Sequence, residues 1–551
     1  MSFDAIAHVF SLFFLTATDS ATESVFSVPV LEEPTIEGKI AQFVLVLCVS
    51  LTVATLSRTL PWFRQIPYTL LLVIVGLALA VVDIRLVTLS PDIILLIFLP
   101  PLLFEAGWNL EWRNLKENLI PICLYAVFGV VISVAGVGLG LQYFAGLALG
   151  TSLLIGASLS ATDPVSVIAL FRELGVSKRL TVLMEGESLF NDGVAVVAFT
   201  LLLGVAIGTK ELSIPIAIVQ FSTFVGIGIG IGSLIGFGIS YITQRFDLPS
   251  VEQSLTLVAA YGAYILSEDL EGSGVIAVVT VGLVLGNFGS RIGMNPRTRL
   301  IVSEFWEFTA FFVNSIVFLL IGDQVQFGIL TANAPVILVA IAAVLLTRLV
   351  GIFGLGFVSN VIAGSNLDAK TQTVLWWGGL RGSVSVALAL SVPDSFDQKE
   401  LIIATVFGVM LFTLLVQGMT TKPLLQNLEL MGIQPLKQKY MEAIARRVAL
   451  NRVIDRLNTI AERKEIEPDF FQYEVALVKG QLESVQSEIQ QLQAQHPQFQ
   501  DLIVEEVREE LLAIESDTYA EFIRAGRLKD SLSPVLQEAL VDAGQKDNER
   551  G

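Results

Sequence analysis

Thirteen runs of mostly apolar residues follow one another between residues 40 and 421, and they constrain the fold of this chain more than any other feature. A helix that crosses the hydrocarbon core of a bilayer needs roughly 20 such residues. The runs lie near 40–56, 66–83, 89–106, 118–141, 147–170, 180–207, 214–243, 253–268, 274–288, 300–322, 334–358, 371–392 and 400–421. Unpaired backbone groups are costly in lipid, and a helix pairs its own. The runs therefore predict an all-α integral membrane protein with about thirteen transmembrane helices.

The composition excludes several classes of protein. The chain is 53% hydrophobic and 16% charged, with a mean hydropathy of +0.71, whereas about a quarter of a soluble protein is charged. A net charge of −18 argues against nucleic-acid binding. Cys48 and Cys123 sit in apolar runs and indicate neither a disulfide framework nor a metal site. His8 and His496 lie outside the runs, so any proton chemistry within the membrane must use carboxylates.

The distribution of basic residues predicts the orientation of the helices. With the N-terminus outside, the predicted inner loops hold twelve Lys or Arg residues. The outer segments hold four, namely Lys39, Arg85, Lys210 and Lys399. This bias follows the positive-inside rule, and an odd number of spans then places the C-terminal tail in the cytoplasm.

The sequence divides into three parts. Residues 1–39 contain an apolar patch, Val9–Leu15, but no basic residue before Lys39. A signal peptide needs a positive start, so we expect a short extracytoplasmic segment, with a cleaved signal as the alternative. Residues 40–425 form the predicted transmembrane domain, and residues 426–551 form a predicted cytoplasmic, helical and acidic tail.

The tail contains one apolar seam at helical spacing. From residue 422 onward there are 16 basic and 23 acidic residues, a net charge of 16 − 23 = −7. The seam consists of Val475, Val478, Leu482, Val485, Ile489 and Leu492. Spacings of three and four residues predict an amphipathic helix that packs on its own neighbours, with a dimer contact or a regulatory contact as alternatives. The polar stretch from about Ser531 is predicted to be frayed.

Six charged residues fall within the apolar runs. A charge at the centre of a bilayer costs about 2.5–3.5 kcal/mol on insertion scales, so each needs a partner or a task. The six are Glu105 in span 3, Asp163 in span 5, Glu187 and Asp192 in span 6, Arg348 in span 11 and Arg381 in span 12.

Span 5 contains a helix breaker beside an acid, in the sequence Thr162-Asp163-Pro164. Proline has no N–H group and disfavours helix at the residue before it. Interrupted helices leave free carbonyl and amide groups at mid-membrane, and such breaks form ion sites in secondary transporters. Asp163 can cap the second half-helix or bind a cation directly, and Thr162 can supply a carbonyl or hydroxyl oxygen.

Span 6 carries polar residues on two faces. Ser188 and Asp192 are four residues apart and share one face, while Glu187 and Asn191 share another, turned by about 100°. The first face offers hydroxyl and carboxylate oxygens, which suit a small cation. A structural ion pair for Asp192 is the alternative, but few basic residues lie in the runs.

Span 12 reads Gly378-Gly379-Leu380-Arg381-Gly382, and three glycines around one arginine predict a second interrupted helix. Arg381 can fix the ends of that break or neutralise Asp163. Interrupted helices in two parts of a chain suit an inverted repeat of spans 4–6 and 11–13, with the two breaks crossing at mid-membrane.

These motifs resemble those of the monovalent cation/proton antiporter family of NhaP type, which is related to the animal sodium/proton exchangers. The resemblance rests on Thr162-Asp163-Pro164, on Gly186-Glu187-Ser188 followed by Asn191-Asp192, and on Gly379-Leu380-Arg381-Gly382. It covers residues from about 40 to 425. It implies thirteen helices, an inward-facing homodimer and an elevator-like motion of a six-helix core.

The resemblance also implies roles for single residues. The implied sodium ligands are Asp192, Ser188, the Thr162 backbone and Glu105, and Asn191 orients the site. Two structural ion pairs are implied, Glu187 with Arg348 and Asp163 with Arg381. Asn191 beside Asp192 is associated in the family with electroneutral exchange, one cation for one proton.

The expected function is therefore electroneutral sodium or lithium exchange for protons at Asp192, in the plasma membrane of a bacterium, with a role in pH regulation. We expect neither enzyme activity nor a cofactor, and the chain has no G-x-x-x-x-G-K-[ST] phosphate loop. The expected partners are the lipid bilayer and a second copy of the chain, and the tail offers a site for a regulator. Potassium/proton or calcium/proton exchange is the alternative within the same fold, and a cation channel is the alternative of another class.

Overall fold

The computed structural model describes residues 36–59, 67–82, 86, 90–209, 214–244, 248–294, 296–431, 434–461 and 468–495, together with positions 515, 518, 519 and 522. The regular secondary structure of these residues is all helical, and no β-strand occurs among them. The predicted all-α fold class is confirmed. Most of the predicted extracytoplasmic segment and the polar stretch from about Ser531 lie outside the described residues.

The described helices are numbered here in chain order. They are α1 (Ile36–Thr59), α2 (Tyr68–Val81), α3 (Ile93–Asn109), α4 (Trp112–Glu117), α5 (Leu119–Ala145), α6 (Leu149–Ser158), α7 (Val165–Leu174), α8 (Lys178–Ala206), α9 (Ile214–Thr243), α10 (Pro249–Asp269), α11 (Gly274–Val284), α12 (Pro296–Asp323), α13 (Phe327–Ala332), α14 (Ala334–Ala363), α15 (Ala369–Trp377), α16 (Ser383–Leu390), α17 (Lys399–Asn427), α18 (Gln434–Ala461) and α19 (Pro468–Gln495). A π-helical segment, Leu285–Gly293, continues α11.

Each of the thirteen predicted runs coincides with one helix or with a pair of helices separated by a break. Helices α5, α8, α9, α12, α14 and α17 each contain a stretch of 27 to 30 residues that is long and apolar enough to cross a bilayer. Several others, including α2 and α3, are apolar but shorter. The exact number of membrane crossings stays a prediction.

The helices pack as two bundles. The first bundle consists of α1–α3 with α9–α12, and the second consists of α5–α8 with α14–α17. Within the first bundle α2 crosses α12 where Gly76 faces Gly322, and α3 crosses α11 where Gly107 faces Gly282. A Cβ at any of these glycines would meet the backbone of the other helix, so the close crossings require glycine. The second bundle joins spans 4–6 with spans 11–13, the two sets predicted to form a repeat.

Both predicted helix breaks are present, and they lie against each other in the second bundle. Helices α6 and α7 are separated by residues 159–164, and α15 and α16 by residues 378–382. The amide of Asp163 donates to the carbonyl of Leu380 over 2.8 Å, and the Ser385 hydroxyl donates to the carbonyl of Ala161 over 3.3 Å. Each break therefore satisfies some of the backbone groups that the other leaves free.

The described part of the tail is a helical hairpin of α18 and α19. Val485 and Ile489 of the predicted seam are buried against Tyr440 and Ala443 of α18. Gln493 also donates to the Tyr440 hydroxyl over 2.7 Å. The seam thus packs on a neighbouring helix of the same chain, which was the first of the predicted alternatives. Helix α18 also contacts α7 of the second bundle.

Candidate cation and proton site

A cavity of about 370 Å³ lies between the two bundles. The second bundle lines it with both helix breaks and α8, and the first bundle lines it with α2, α3 and α12. Its polar lining residues include Tyr68, Glu105, Asn109, Thr162, Asp163, Arg172, Glu185, Ser188, Asp192, Glu307, Asn314, Ser383 and Ser385. Most of the charged side chains in this lining are acidic, so the cavity favours cations over anions.

Helix α8 holds the first break through Thr162. The Ser188 hydroxyl donates to the Thr162 carbonyl. The Asn191 amide group donates to the Thr162 hydroxyl over 2.7 Å, and the Asn191 side-chain oxygen accepts from the Thr162 amide over 3.3 Å. All three side chains are at least nine-tenths buried. Every polar group of Thr162 is therefore fixed by α8, and its carbonyl oxygen stays next to the hydroxyl of Ser188.

Asp192 lies one helical turn after Ser188 and faces the same cavity. Its Oδ1 atom is buried and has no hydrogen-bond partner within the described part of the chain. A buried carboxylate oxygen without a partner is costly, and binding of a cation or of a proton removes that cost. The Ser188 hydroxyl and the Thr162 carbonyl lie close by. The atoms available to bind a cation are therefore all hard oxygens, which suit sodium.

The two faces predicted for span 6 are confirmed. Ser188 and Asp192 line the 370 Å³ cavity, whereas Glu187 lines a second, small cavity on the other side of α8. Asn191 also lines the small cavity. A four-residue spacing was sufficient to separate the two pairs, because the helix is regular through this segment.

The structure brings Glu187 and Arg348 together. Arg348 Nη1 lies 2.8 Å from Glu187 Oε1, and Nη2 donates to Oε2 over 3.2 Å. Arg348 also donates to the carbonyl of Leu375 over 2.8 Å and to that of Trp376 over 3.1 Å. These carbonyls end helix α15, where partial negative charge collects. The pair therefore ties α8 and α14 to the second break.

The structure contradicts the ion pair expected between Asp163 and Arg381, since no salt bridge joins them in the described residues. Asp163 Oδ1 accepts from the Val165 amide over 3.0 Å, which caps α7. Arg381 Nη1 donates to the Gly379 carbonyl over 2.8 Å, and its side chain lines the small cavity beside Glu187. Asp163 therefore lines the large cavity, whereas Arg381 lines the small one.

Glu105 lies on α3 of the first bundle and lines the same cavity as Asp192. Its carboxylate accepts from the Asn109 amide group over 2.5 Å. The described residues contain no group of three or more His, Cys, Asp or Glu side chains close enough to hold a metal ion. The role of Glu105 as a cation ligand therefore stays a prediction.

One face of α12 is a part of the cavity lining that the sequence analysis did not identify. Glu307, Phe311 and Asn314 recur on that face at helical spacing and line the cavity opposite the helix breaks. Asn314 is 9% exposed and makes no hydrogen bond with any described residue. An amide within an apolar run is a signal in the sequence, but Asn314 carries no charge and so is not one of the six charged residues of the runs.

Comparison with known proteins agrees with this architecture. The family described as "Sodium/hydrogen exchanger, transmembrane" matches residues 44–427. The Na(+)/H(+) antiporter ApNhaP of Aphanothece halophytica is 61% identical over 510 residues, which cover 92% of this chain and 98% of that protein. The low-affinity Na(+)/H(+) antiporter NhaS1 of Synechocystis sp. is 56% identical over 509 residues, covering 92% and 97%.

A solved structure shares the fold. The sodium proton antiporter MjNhaP1 from Methanocaldococcus jannaschii superposes with a TM-score of 0.59 at 21% sequence identity. The match covers 71% of this chain and 98% of that one. At this identity the likeness concerns the fold alone. The family match and the two relatives together show that this chain is an integral membrane protein that belongs to the sodium/hydrogen exchanger family.

Proposed function

We propose that this chain exchanges sodium for protons across a membrane and that Asp192 binds the two ions in turn. The observation that carries the proposal is the unpartnered Oδ1 atom of Asp192, which lies in an acid-lined cavity next to Ser188 and the Thr162 carbonyl. The two relatives described above are both named as Na(+)/H(+) antiporters, which supports the same choice of ions.

Competition at one carboxylate is sufficient to couple the two fluxes. A proton on Asp192 removes the negative charge that attracts a cation, and a bound cation opposes protonation. An empty carboxylate that enters the dry part of the barrier costs about 2.5–3.5 kcal/mol. The site therefore crosses when a proton or a cation has neutralised it, and no ATP is needed.

The two bundles supply the moving parts of an alternating-access cycle. The cavity lies between them, and its lining includes Arg172 of α7 and Glu185 of α8. Both residues lie near the helix ends that the distribution of basic residues places in the cytoplasm. We infer that this conformation faces inward. The second bundle, which carries Thr162, Ser188 and Asp192, is the six-helix core expected to move against the first bundle, in a homodimer whose tail lies inside.

We further propose that one sodium ion is exchanged for one proton. Asn191, rather than a second acid, precedes Asp192, and both polar atoms of its side chain are held by Thr162. In that position it gains or loses no charge during the cycle. Exchange at Asp192 alone then moves no net charge, which is the stoichiometry that the family resemblance implies.

Potassium/proton or calcium/proton exchange is the alternative for the same site, since hydroxyl, carbonyl and carboxylate oxygens serve several hard cations. Asp192 and Asp163 both line the cavity, and two acids are compatible with a divalent ion. A channel is less compatible with the site, because a carboxylate that binds one ion at a time suits bind-and-release transport.

The test is a proteoliposome assay with a trapped pH-sensitive dye, to which sodium, lithium, potassium and calcium are added in turn. We expect dye responses to sodium and lithium, and none in Asp192→Asn. The matched control is Asp394→Asn, because that carboxylate is almost fully exposed and pairs with Lys399 in a loop. Sodium-driven proton movement in folded Asp192→Asn would contradict the proposal.

A further inference from the structure

The hydroxyl group of Thr413 in α17 is hydrogen-bonded to the backbone of the second helix break. Thr413 is 1% exposed and begins a π-helical segment of α17, Thr413–Gln417. Such segments are rare and often occur at functional sites. The hydroxyl accepts from the Arg381 amide over 3.1 Å and donates to the Met410 carbonyl over 2.9 Å. Thr413 is not among the residues that line the large or the small cavity, so it can act on the ion site only through the break.

The peptide group between Leu380 and Arg381 connects Thr413 to the first break. Its N–H donates to the Thr413 hydroxyl, and its carbonyl accepts from the Asp163 amide over 2.8 Å. Leu380 and Arg381 are both buried, so bulk water does not compete for these bonds. A planar peptide group that is held at both ends cannot rotate without breaking one of the two bonds. Thr413 therefore fixes the direction in which the Leu380 carbonyl points.

A second peptide group extends the connection into the ion site. The N–H of Asp163 and the carbonyl of Thr162 belong to one planar peptide group, so the bond to the second break orients both. The Thr162 carbonyl accepts from the Ser188 hydroxyl, and Thr162 lines the large cavity together with Asp192. A continuous series of hydrogen bonds thus runs from Thr413 through two peptide groups to the Thr162 carbonyl.

The bonds of this series all point in the same direction. Each of the two peptide groups accepts at its carbonyl and donates at its N–H, and hydrogen bonds in such a chain strengthen one another by about 10–30% per bond. A peptide group whose N–H donates carries more negative charge on its carbonyl oxygen. The Thr162 oxygen is therefore a better cation ligand than an isolated carbonyl, and loss of the Thr413 acceptor weakens it.

We propose that Thr413 is a positioning residue for cation binding, which orients and polarises the Thr162 carbonyl through the two peptide groups and so raises the sodium affinity of the site. This inference rests on the proposed function, because it takes Thr162 and Asp192 as parts of one sodium site. The hydroxyl of Thr413 is the group that acts, since its methyl group makes no hydrogen bond. A purely structural role would instead lower the folded yield or the maximal rate and leave the KM for sodium unchanged.

The first test varies the hydrogen-bonding group at position 413 in the full-length protein. Thr413→Val keeps the size of the side chain and removes the hydroxyl, whereas Thr413→Ser keeps the hydroxyl. In proteoliposomes we expect Thr413→Val to raise the KM for sodium about threefold, the effect of one net hydrogen bond, with little change in the maximal rate. We expect the wild-type KM in Thr413→Ser. A KM that is unchanged in folded Thr413→Val, or raised equally in both variants, would overturn the inference.

The matched control is Thr405→Val. Thr405 is equally buried on α17, but its hydroxyl donates to the Leu401 carbonyl of the same helix over 2.7 Å. We expect this variant to keep the wild-type KM. If Thr413→Val does not fold, Thr413→Cys replaces it, because a thiol is a weaker acceptor than a hydroxyl, and an unchanged KM in that variant would likewise overturn the inference.

Amide hydrogen exchange, measured in nanodiscs without sodium, tests the hydrogen bonds independently of transport. We expect peptides that cover residues 159–164 and 378–382 to exchange several-fold faster in Thr413→Val, and at the wild-type rate in Thr413→Ser and Thr405→Val. Unchanged amide exchange in Thr413→Val would show that the breaks do not depend on this hydroxyl. The proposed function fails differently, since a wild-type protein that moves no protons in response to sodium would contradict it, whereas wild-type transport with a normal KM in Thr413→Val contradicts the role of Thr413 alone.

Discussion

At the scale of single residues, the two sides of α8 differ in their balance of charge. On one side Asp192 and Asp163 line the large cavity together with Ser188. On the other side Arg348 and Arg381 line the small cavity with a single acid, Glu187, which pairs with Arg348. Buried positive charge thus lies behind the ion site, and acids face the cavity in front of it. Acids in front and basic residues behind are the arrangement expected of the proposed cation site.

Removal of the Glu187 carboxylate should destabilise the fold more than it changes the ion site. In Glu187→Ala the Arg348 guanidinium stays buried without its acid, and loss of one partner of a buried pair costs about 3–5 kcal/mol. We expect a much lower folded yield and melting temperature, measured by fluorescence-detected size exclusion. The control is Glu117→Ala, which breaks an exposed pair with Arg113 and should change little. A well-folded but inactive Glu187→Ala would instead assign Glu187 to transport.

Asn314 should contribute to sodium affinity from the first bundle. Its unpartnered amide lines the cavity and can contact the hydrated ion, a contribution of about 1 kcal/mol. We expect Asn314→Ala to raise the KM for sodium about fivefold with little change in the maximal rate. Thr309→Ala is the control, because the Thr309 hydroxyl donates to the carbonyl of Phe305 in its own helix. An unchanged KM would show that α12 only encloses the cavity.

The sequence was most informative at this scale where a residue follows local rules. Helical spacing separated Ser188 and Asp192 from Glu187 and Asn191. It did not reveal Asn314, because the meeting of α12 with the helix breaks depends on the packing of two bundles. The expected partner of Arg381 was wrong for a similar reason, since the direction of its side chain depends on how the breaks cross.

At the scale of elements, the crossing of the two breaks positions the site. Pro164 lies where the first break ends and α7 begins, and Gly382 allows the second break to approach Asp163 closely. A Cβ at Gly382 would overlap the side chain of Asp163, and one at Gly379 would overlap Arg348. Proline and glycine made both breaks predictable from sequence. Their hydrogen bonds to each other were not, because these join residues more than 200 positions apart.

A methyl group at this crossing should disturb exchange. Gly382→Ala must push Asp163 away, and overpacking of this kind costs about 1–3 kcal/mol. We expect an exchange rate lower by about tenfold or more in proteoliposomes, with the protein still folded. Gly354→Ala is the matched control, because its methyl group meets no atom within 4 Å. Normal exchange by Gly382→Ala would mean that the breaks tolerate separation.

At the scale of the whole molecule, the fold places Asp192, the proposed titratable ion ligand, at the contact of two bundles. The apolar runs were sufficient to predict the all-helical membrane fold, since each run spans most of a helix. The grouping of α1–α3 with α9–α12 was not visible in the runs, because it follows from contacts between segments far apart in sequence.

An electroneutral cycle should be insensitive to membrane voltage. If one sodium ion replaces one proton at Asp192, no net charge crosses in a turnover. We expect the same exchange rate in proteoliposomes held at zero potential or at about −100 mV by potassium and valinomycin. If net charge did cross, that potential would change the free energy of each turnover by about 2.3 kcal/mol per elementary charge, which is large enough to detect. A rate that rises or falls with voltage would show that sodium ions and protons are exchanged in unequal numbers.

The most direct test of the central claim is the number of protons released when sodium binds. The full-length protein in nanodiscs and weak buffer is titrated with sodium over a series of pH values, and the released protons are counted. Competition at Asp192 predicts release that approaches one proton per bound sodium at low pH and declines as the pH rises, with no release from Asp192→Asn. Equal release from folded Asp192→Asn, or sodium binding without release at any pH, would contradict the account.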